Sequence, residues 1–376
     1  MATKKRKTTK KKTAKKKAPK KKKSVAKKKA PAKKPKKAAK KKAPAKKKAA
    51  KKTTASAKKP TRRGRGPESV FIVNPKSSGG KTEKRWPAIE KMLLHRFDSF
   101  EVRQTDGPGH ATVIAREAIA AGAKNVIAIG GDGTISEVSA GFFDTRGKLL
   151  KKPGNASPAL GIISAGSGSD FIKSVDIPRD IENAIDVIAK GHTRVIDMGL
   201  VTFLNRQGLH ETRPFINIAD VGIGGEVVDI VQSSGKRSGG LAYQIASLKG
   251  LLRYKKPNLK VTIDQNVRRE GNFSGVIVCN GRYFGGGMKV APHAELNDGQ
   301  FDVIIMGELG VFETAIKMNK VRKGTHIYED KIEVARARRV TVEAEGKSLL
   351  DLDGENPGQC PVKFQIVPNA IKVLIP

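Results

Sequence analysis

One stretch, Val126-Ile127-Ala128-Ile129-Gly130-Gly131-Asp132-Gly133-Thr134-Ile135-Ser136-Glu137, constrains the fold more than any other. Its first four residues are apolar and mostly β-branched, the pattern of a strand buried in a parallel sheet. Three glycines and a carboxylate break the run. A helical pattern follows, with Thr134 placed as N-cap and Glu137 three residues on, at capping-box spacing. Strand, glycine turn and helix together aim backbone N–H groups and a helix N-terminus at phosphate. Glycine lets the main chain approach such a ligand with no Cβ in the way. Asp132 stands in the turn, where a bare carboxylate repels phosphate, and a mediating metal ion resolves the conflict. The stretch therefore points to Mg²⁺-nucleotide chemistry. An ordinary turn with a solvated aspartate is the plainer reading, but three glycines around one aspartate exceed what a tight turn needs.

The same unit recurs. Ser69–Val73 has a buried-strand pattern, Asn74-Pro75-Lys76-Ser77-Ser78-Gly79-Gly80-Lys81 is a glycine loop, and a helix is expected from about Lys84 to Arg96. Gly80-Lys81-Thr82 ends like a Walker A loop, but Pro75 stands where that loop needs its first glycine. Phe100–Gln104 reads as the next strand, Thr105–Ala111 as its turn, and a helix continues to about Ala121. His110 reads as a helix-start residue that caps or packs. After the Gly130–Thr134 turn a helix runs to about Phe143, then a strand at Leu160–Ile163, the loop Ser164–Phe171, and a helix at Ile181–Lys190 closed by Gly191. Alternating strands and helices imply a parallel, Rossmann-like α/β domain.

From Thr193 the texture changes to successive strand patterns: Arg194–Val201, Arg213–Ala219, Leu259–Ile263, Ser274–Cys279, Phe301–Ile305, Arg339–Val342, Ser348–Leu352 and Val362–Val367. Turn signals such as Asn297-Asp298-Gly299 separate them, and a β-sandwich with helical insertions is expected. One insertion is Leu241–Arg253, whose apolar residues at helical spacing suit core packing better than a lipid-pocket wall. The expected organisation is a tail at 1–66, a nucleotide-binding domain at 67–192, a β-sandwich acceptor domain at 193–368, and a segment at 369–376 that returns to the first domain.

The net charge of +40 is unevenly placed: Met1–Gly66 hold 30 Lys, 4 Arg and no acidic residue, hence +34, and the remaining 310 residues carry +6. The tail's Lys-Lys-Lys-Ala-Pro-type units offer nothing to bury, so disorder is expected. Its composition looks like the tails of linker histones and of histone-like bacterial proteins. Such a segment binds polyanions by counterion release, and both nucleic acid (DNA or RNA) and an anionic membrane surface are candidates. It has no aromatic residue for base stacking. Two widely spaced cysteines, Cys279 and Cys360, fit no metal spacing and suggest a reducing compartment. With no apolar h-region and no run of membrane-spanning length, the expectation is a cytoplasmic protein peripheral to the membrane.

The Gly130–Thr134 run resembles the signature of the diacylglycerol kinase catalytic family, which includes bacterial lipid kinases and sphingosine and ceramide kinases; NAD kinases and phosphofructokinases share a related one. The Asn74–Lys81 loop is similar to the family's Asn-Pro-x-Ser-Gly-Gly-Lys opening. By that resemblance Asn74 and Lys81 contact nucleotide phosphates, with Thr105, Gly130, Gly131, Asp132, Gly133, Thr134, Gly166 and Ser167 completing the ATP site. Ser164–Phe171 departs from the family's Pro-x-Gly-Thr-x-Asn-Asp-Phe at Ser167 and Ser169. Ser167 keeps a hydroxyl, whereas Ser169 loses an amide. Asn217–Gly225, Cys279-Asn280-Gly281, Gly285-Gly286-Gly287-Met288 and Ala291–Ala294 also look like family segments. Asp298-Gly299 falls at the family's structural Mg²⁺ site, which implies an Asp298 carboxylate with main-chain oxygens near Glu295 and Gln300. Asp353-Gly354-Glu355 looks like the family's Asp-Gly-Glu, whose aspartate is the candidate general base for a lipid hydroxyl; alternatively Asp353 only fixes a turn. The resemblance covers residues 69–376 and implies an ATP-dependent lipid kinase acting on diacylglycerol or a related lipid. A nucleic-acid-binding, nucleoid-associated protein with an inactive kinase domain is the alternative.

Overall fold

The protein is described by a computed structural model over residues 68–166, 168–233, 254 and 256–376. The basic tail, Ser167 and the expected helix Leu241–Arg253 lie outside the described residues.

The first half is a parallel sheet. Strands β1 (Ser69–Val73), β2 (Glu101–Gln104), β3 (Asn125–Gly130) and β4 (Ala159–Ser164) lie in the order β4-β3-β1-β2. The register aligns Ile72 with Arg103 on one side and with Ala128 on the other, and Ile127 with Gly161. β1 and β4 are buried at every position, as their unbroken apolar runs demand. β2 is the edge, and its Glu101 and Arg103 pair there while Arg103 also meets Glu117 at 2.9 Å. Charges on an edge strand discourage pairing with another chain. Helices α1 (Ser77–Arg96), α2 (His110–Ala120), α3 (Asp132–Ala140), α4 (Phe171–Ser174) and α5 (Ile181–Lys190) connect the strands. Phe71 seals the far end, edge-on to Phe97 at 5.5 Å and to Phe100 at 5.3 Å.

The second half is a two-layered β structure. One layer runs β12 (Ile332–Ala337), β11 (Phe301–Met306), β10 (Gly275–Cys279), β7 (Ile218–Gly222), β14 (Leu349–Leu352). The other contains β9 (Val267–Asn272), β8 (Asn258–Ile263), β13 (Arg339–Ala344), β15 (Glu355–Leu374), β5 (Thr193–Asn205) and β6 (His210–Phe215). Between them Phe215 stacks on Phe301 at 5.7 Å and meets Phe364 edge-on at 6.1 Å. All three rings are fully buried, each contributing on the order of 2–3 kcal/mol by area removed from water. Gly199, opposite Phe215 in the ladder, makes room for this: a Cβ there would lie 2.1 Å from the Phe215 ring.

Strands β5 and β15 are long enough to belong to both halves. β15 pairs with β14 near Gln359, with β13 over 362–365, with β5 along most of its length, and in parallel with β4 at Lys372 and Val373. Its register shifts between Gln359 and Lys363 and again between Val367 and Ile371. Pro361 and Pro368 stand at these breaks, where the missing N–H cannot continue a ladder.

Three local readings differ from expectation. α3 begins at Asp132 with Gly131 as its N-cap, because the Gly131 carbonyl already accepts from the Thr134 and Ile135 amides. Thr134 is thereby inside the helix. The strand expected over Arg213–Ala219 breaks at Ile216-Asn217, whose amides turn away from the ladder to a carboxylate. Helix Val311–Lys323 and the highly charged strand β9 carry no simple periodic signal.

Candidate active site

Every loop at the carboxyl ends of β1, β2, β3 and β4 faces the same edge of the sheet, where open α/β sheets place their ligands. The loops are stitched together. The Asn74 amide donates to Ile129 O at 3.0 Å, and its side-chain Nδ2 donates to Thr134 Oγ1 at 3.0 Å. The Thr105 amide donates to Val73 O, and the Ala165 amide to Gly130 O at 2.7 Å. Ser78 Oγ reaches Ala165 O at 2.7 Å. Residues expected to form the nucleotide site thus converge: Asn74, Thr105, the Gly130–Thr134 turn and Gly166. Lys81 is exposed near the start of α1, just after Ser78, Gly79 and Gly80, whose φ values of 52°, 67° and 87° coil the chain left-handedly before the regular helix. His110 opens α2, and its Nδ1 accepts from the Asp106 amide at 3.0 Å.

Two glycines have a steric reason. A Cβ on Gly166 would lie 2.5 Å from Gly131 Cα, so these two loops touch backbone to backbone. A Cβ on Gly130 would strike the Thr134 side chain at 2.4 Å. Ser169 holds φ +53°, a conformation that asparagine tolerates better than serine; its Oγ shares a hydrogen bond with Ser164 Oγ at 2.8 Å.

Asp132 is half-buried and held by the neighbouring loop. Its Oδ1 accepts from the amides of Asp170 at 2.8 Å and Phe171 at 3.2 Å, fixing the fourth loop against the third. Burial raises its pKa, the neighbouring Asp170 charge adds to the rise, and the amides of Phe171, Asp170 and Ser169 oppose it. Oδ2 lies against Gly168, where a Cβ would come within 2.7 Å. A hard carboxylate oxygen at a phosphate-type glycine loop suits a Mg²⁺ ion carried by a nucleotide.

Asp353 comes from the other half of the molecule, in the turn between β14 and β15. Ser136 of α3 donates to its Oδ2 at 2.7 Å across 217 residues of sequence. Ile216 N donates to Oδ2 at 3.2 Å, and Asn217 N and Ile218 N donate to Oδ1 at 3.2 and 3.0 Å. Burial raises its pKa, and these four donors, Ser136 first, hold the rise back. Glu355, two residues on, is also raised by burial and then by Glu137, with Arg213 opposing. A second link joins the two halves: Gly286 N donates to Asp170 Oδ2 at 2.7 Å, while Lys173 Nζ meets Asp170 Oδ1 at 2.9 Å. The residues that sequence reasoning did not single out are therefore Ser136, Asp170, Lys173 and Glu355. Ser136 sits inside the glycine-turn stretch, which was the available signal.

The expected metal corner behaves differently. Asp298 Oδ1 accepts from Gln300 N at 2.9 Å, and Oδ2 is ion-paired with Arg336 Nη2. Both Asp298 carboxylate oxygens thus already have partners, and the cation beside them is a guanidinium. Among the described residues, no group of three or more His, Cys, Asp or Glu side chains is arranged to hold a metal ion. No helix among them is long and apolar enough to cross a membrane.

Comparison with known proteins agrees with this layout. Residues 68–201 match the diacylglycerol kinase catalytic domain, and residues 217–375 match the YegS C-terminal NAD kinase beta sandwich-like domain. The chain is 33% identical over 308 residues to a diacylglycerol kinase of Bacillus subtilis (strain 168), covering 81% of this chain and 95% of that one. It is 28% identical to a diacylglycerol kinase of Staphylococcus haemolyticus (strain JCSC1435), covering 81% and 87%. A crystal structure of a diacylglycerol kinase from Bacillus anthracis str. Sterne superposes with a TM-score of 0.58 at 21% identity, covering 82% and 97%; it speaks for the fold.

Proposed function

Because this chain belongs to the diacylglycerol kinase catalytic-domain family and is a lipid kinase of that family, we propose that it transfers the γ-phosphoryl group of ATP to the hydroxyl of diacylglycerol or a related lipid. The observation that carries this reading is the 2.7 Å hydrogen bond from Ser136 to Asp353. It puts a half-buried carboxylate of the second half, its pKa raised by desolvation, beside the helix that leaves the Gly130–Gly133 turn.

In the proposed reaction the Asn74–Lys81 loop, Thr105 and the Gly130–Thr134 turn hold the triphosphate through backbone N–H groups, and Lys81 supplies a point charge. Gly166 completes this cradle, and the resemblance assigns the Ser167 hydroxyl to the same nucleotide. Mg²⁺ bound with the nucleotide would meet Asp132 Oδ2 and neutralise phosphate charge. Asp353 takes the proton of the lipid hydroxyl as its oxygen bonds to the γ-phosphorus and the bond to the β,γ-bridging oxygen breaks, releasing ADP. Catalysis is then mainly positioning and charge stabilisation. Four donors on Asp353 favour a second reading, in which Asp353 orients the cleft and Glu355 receives the proton. Paired Asp353→Asn and Glu355→Gln variants separate the two, since the base variant alone loses turnover with nucleotide binding intact.

The basic tail, with +34 on 66 residues, would gather the catalytic part at anionic membrane surfaces from the cytoplasmic side, and DNA or RNA would compete for the same lysines. Incubating the full-length protein with γ-labelled ATP and a total lipid extract tests the activity. A labelled phospholipid is the expected product, and no labelled lipid from any fraction would refute the assignment.

A further inference from the structure

The corner around Asp298 has a resident cation of its own. The turn that carries it is firmly placed: the fully buried Asp197 accepts from Gly299 N at 2.7 Å through Oδ2 and from Asn369 N at 2.6 Å through Oδ1. The Asx-type bond from Gln300 N to Asp298 Oδ1 then fixes the Asp298 rotamer. Asp302 follows on β11, buried, directly opposite Arg336 of β12 in the antiparallel register. Opposed residues share a face of the sheet, so the arginine is delivered to the two carboxylates by strand pairing. Its Nη2 pairs with Asp298 Oδ2 and its Nε lies 3.6 Å from Asp302 Oδ1. Glu295 adds a further negative charge close to Asp302, with His293 beside it. Convergent carboxylates at a buried strand end need a cation, because an uncompensated buried charge is strongly destabilising. A guanidinium is permanently charged and forks between two acceptors.

We propose that Arg336 is the built-in counter-ion of Asp298 and Asp302 and stands where the resemblance placed a structural Mg²⁺, so that this fold does not depend on a divalent ion at that corner. The ion carried by the nucleotide at Asp132 is a separate matter, and the test leaves nucleotide out.

Thermal unfolding of the full-length, nucleotide-free protein is followed in EDTA and in saturating MgCl₂, with KCl matching ionic strength. Wild type should melt at the same temperature in both. Arg336→Gln should melt several degrees lower in EDTA. If it does not fold, Arg336→Lys keeps one charge, loses the fork, and should show a smaller drop of the same sign. A wild-type melting temperature that rises with Mg²⁺, the rise vanishing in Asp298→Asn, would overturn the proposal. So would an Arg336→Gln protein as stable in EDTA as wild type.

Discussion

Asp220 and Asp351 face each other across the β7–β14 ladder, both almost completely buried. Burial pushes the Asp220 carboxyl from the ordinary 3.8 to about 7, against the pull of the Gly224 and Gly225 amides. Asp351 is pushed up by burial and then by Asp220. Asp353 and Glu355 add to the rise at Asp351, and Tyr254 and Cys279 lie close enough to feel the Asp220 charge. A folded-state pKa above the unfolded one means the native state binds the extra proton. That stability is present below pH ~4 and is lost as pH rises through about 7. The distance from 3.8 to about 7, at about 1.4 kcal/mol per pH unit, sets a ceiling of ~4 kcal/mol on the loss. Asp220→Asn cannot ionise, and its Oδ1 still accepts from Gly224 N, a bond of 3.1 Å in the native protein. Its stability relative to wild type should therefore climb between pH ~4 and ~8, by as much as ~4 kcal/mol. Urea unfolding of both proteins at several pH values reads this directly. A stability difference that does not change with pH would refute the reasoning, because the ionisation would then cost nothing in the native state.

Gly166→Ala must push Gly131 aside from a 2.5 Å contact; overpacking of this kind costs ~1–3 kcal/mol, and calorimetry should show weakened ATP binding along with a lower melting temperature. Asp180 caps α5 through Asn183 N at 3.0 Å; Asp180→Ala should cost ~1 kcal/mol in chemical denaturation and leave turnover unchanged. Deleting residues 1–66 should leave activity on detergent-dispersed lipid nearly intact and reduce it on anionic vesicles, with the gap closing as salt rises. Equal activity of both forms on anionic vesicles at low salt would point the tail to nucleic acid.

What the sequence reveals here is what is local. The span of α5, Ile181–Lys190, and its left-handed stop at Gly191 are spelled out within a few residues. So are the buried strands β1, β3 and β4, because apolar runs and glycine turns act at short range. Thr134 does not cap α3 because the Gly131 carbonyl takes the first helical amides and the Thr134 hydroxyl accepts instead from Asn74, 60 residues away in sequence. Contacts set by register or by distant turns leave no local trace. The pairing of Asp302 with Arg336, the opposition of Asp220 and Asp351, and the reach of Ser136 to Asp353 are of this kind. The break at Ile216-Asn217 is unreadable for the same reason: one polar residue between Ile216 and Ile218 does not end a strand pattern, and only the distant carboxylate diverts the amides.

The central claim is that Asp353, held at the junction of the two halves, accepts the proton of a lipid hydroxyl during phosphoryl transfer. The most direct measurement compares wild type and Asp353→Asn for ATP affinity and for steady-state phosphorylation of diacylglycerol in mixed micelles. The account predicts unchanged nucleotide binding and turnover lower by ~10²–10⁴-fold, the usual contribution of a positioned general base. Wild-type turnover in Asp353→Asn would contradict it.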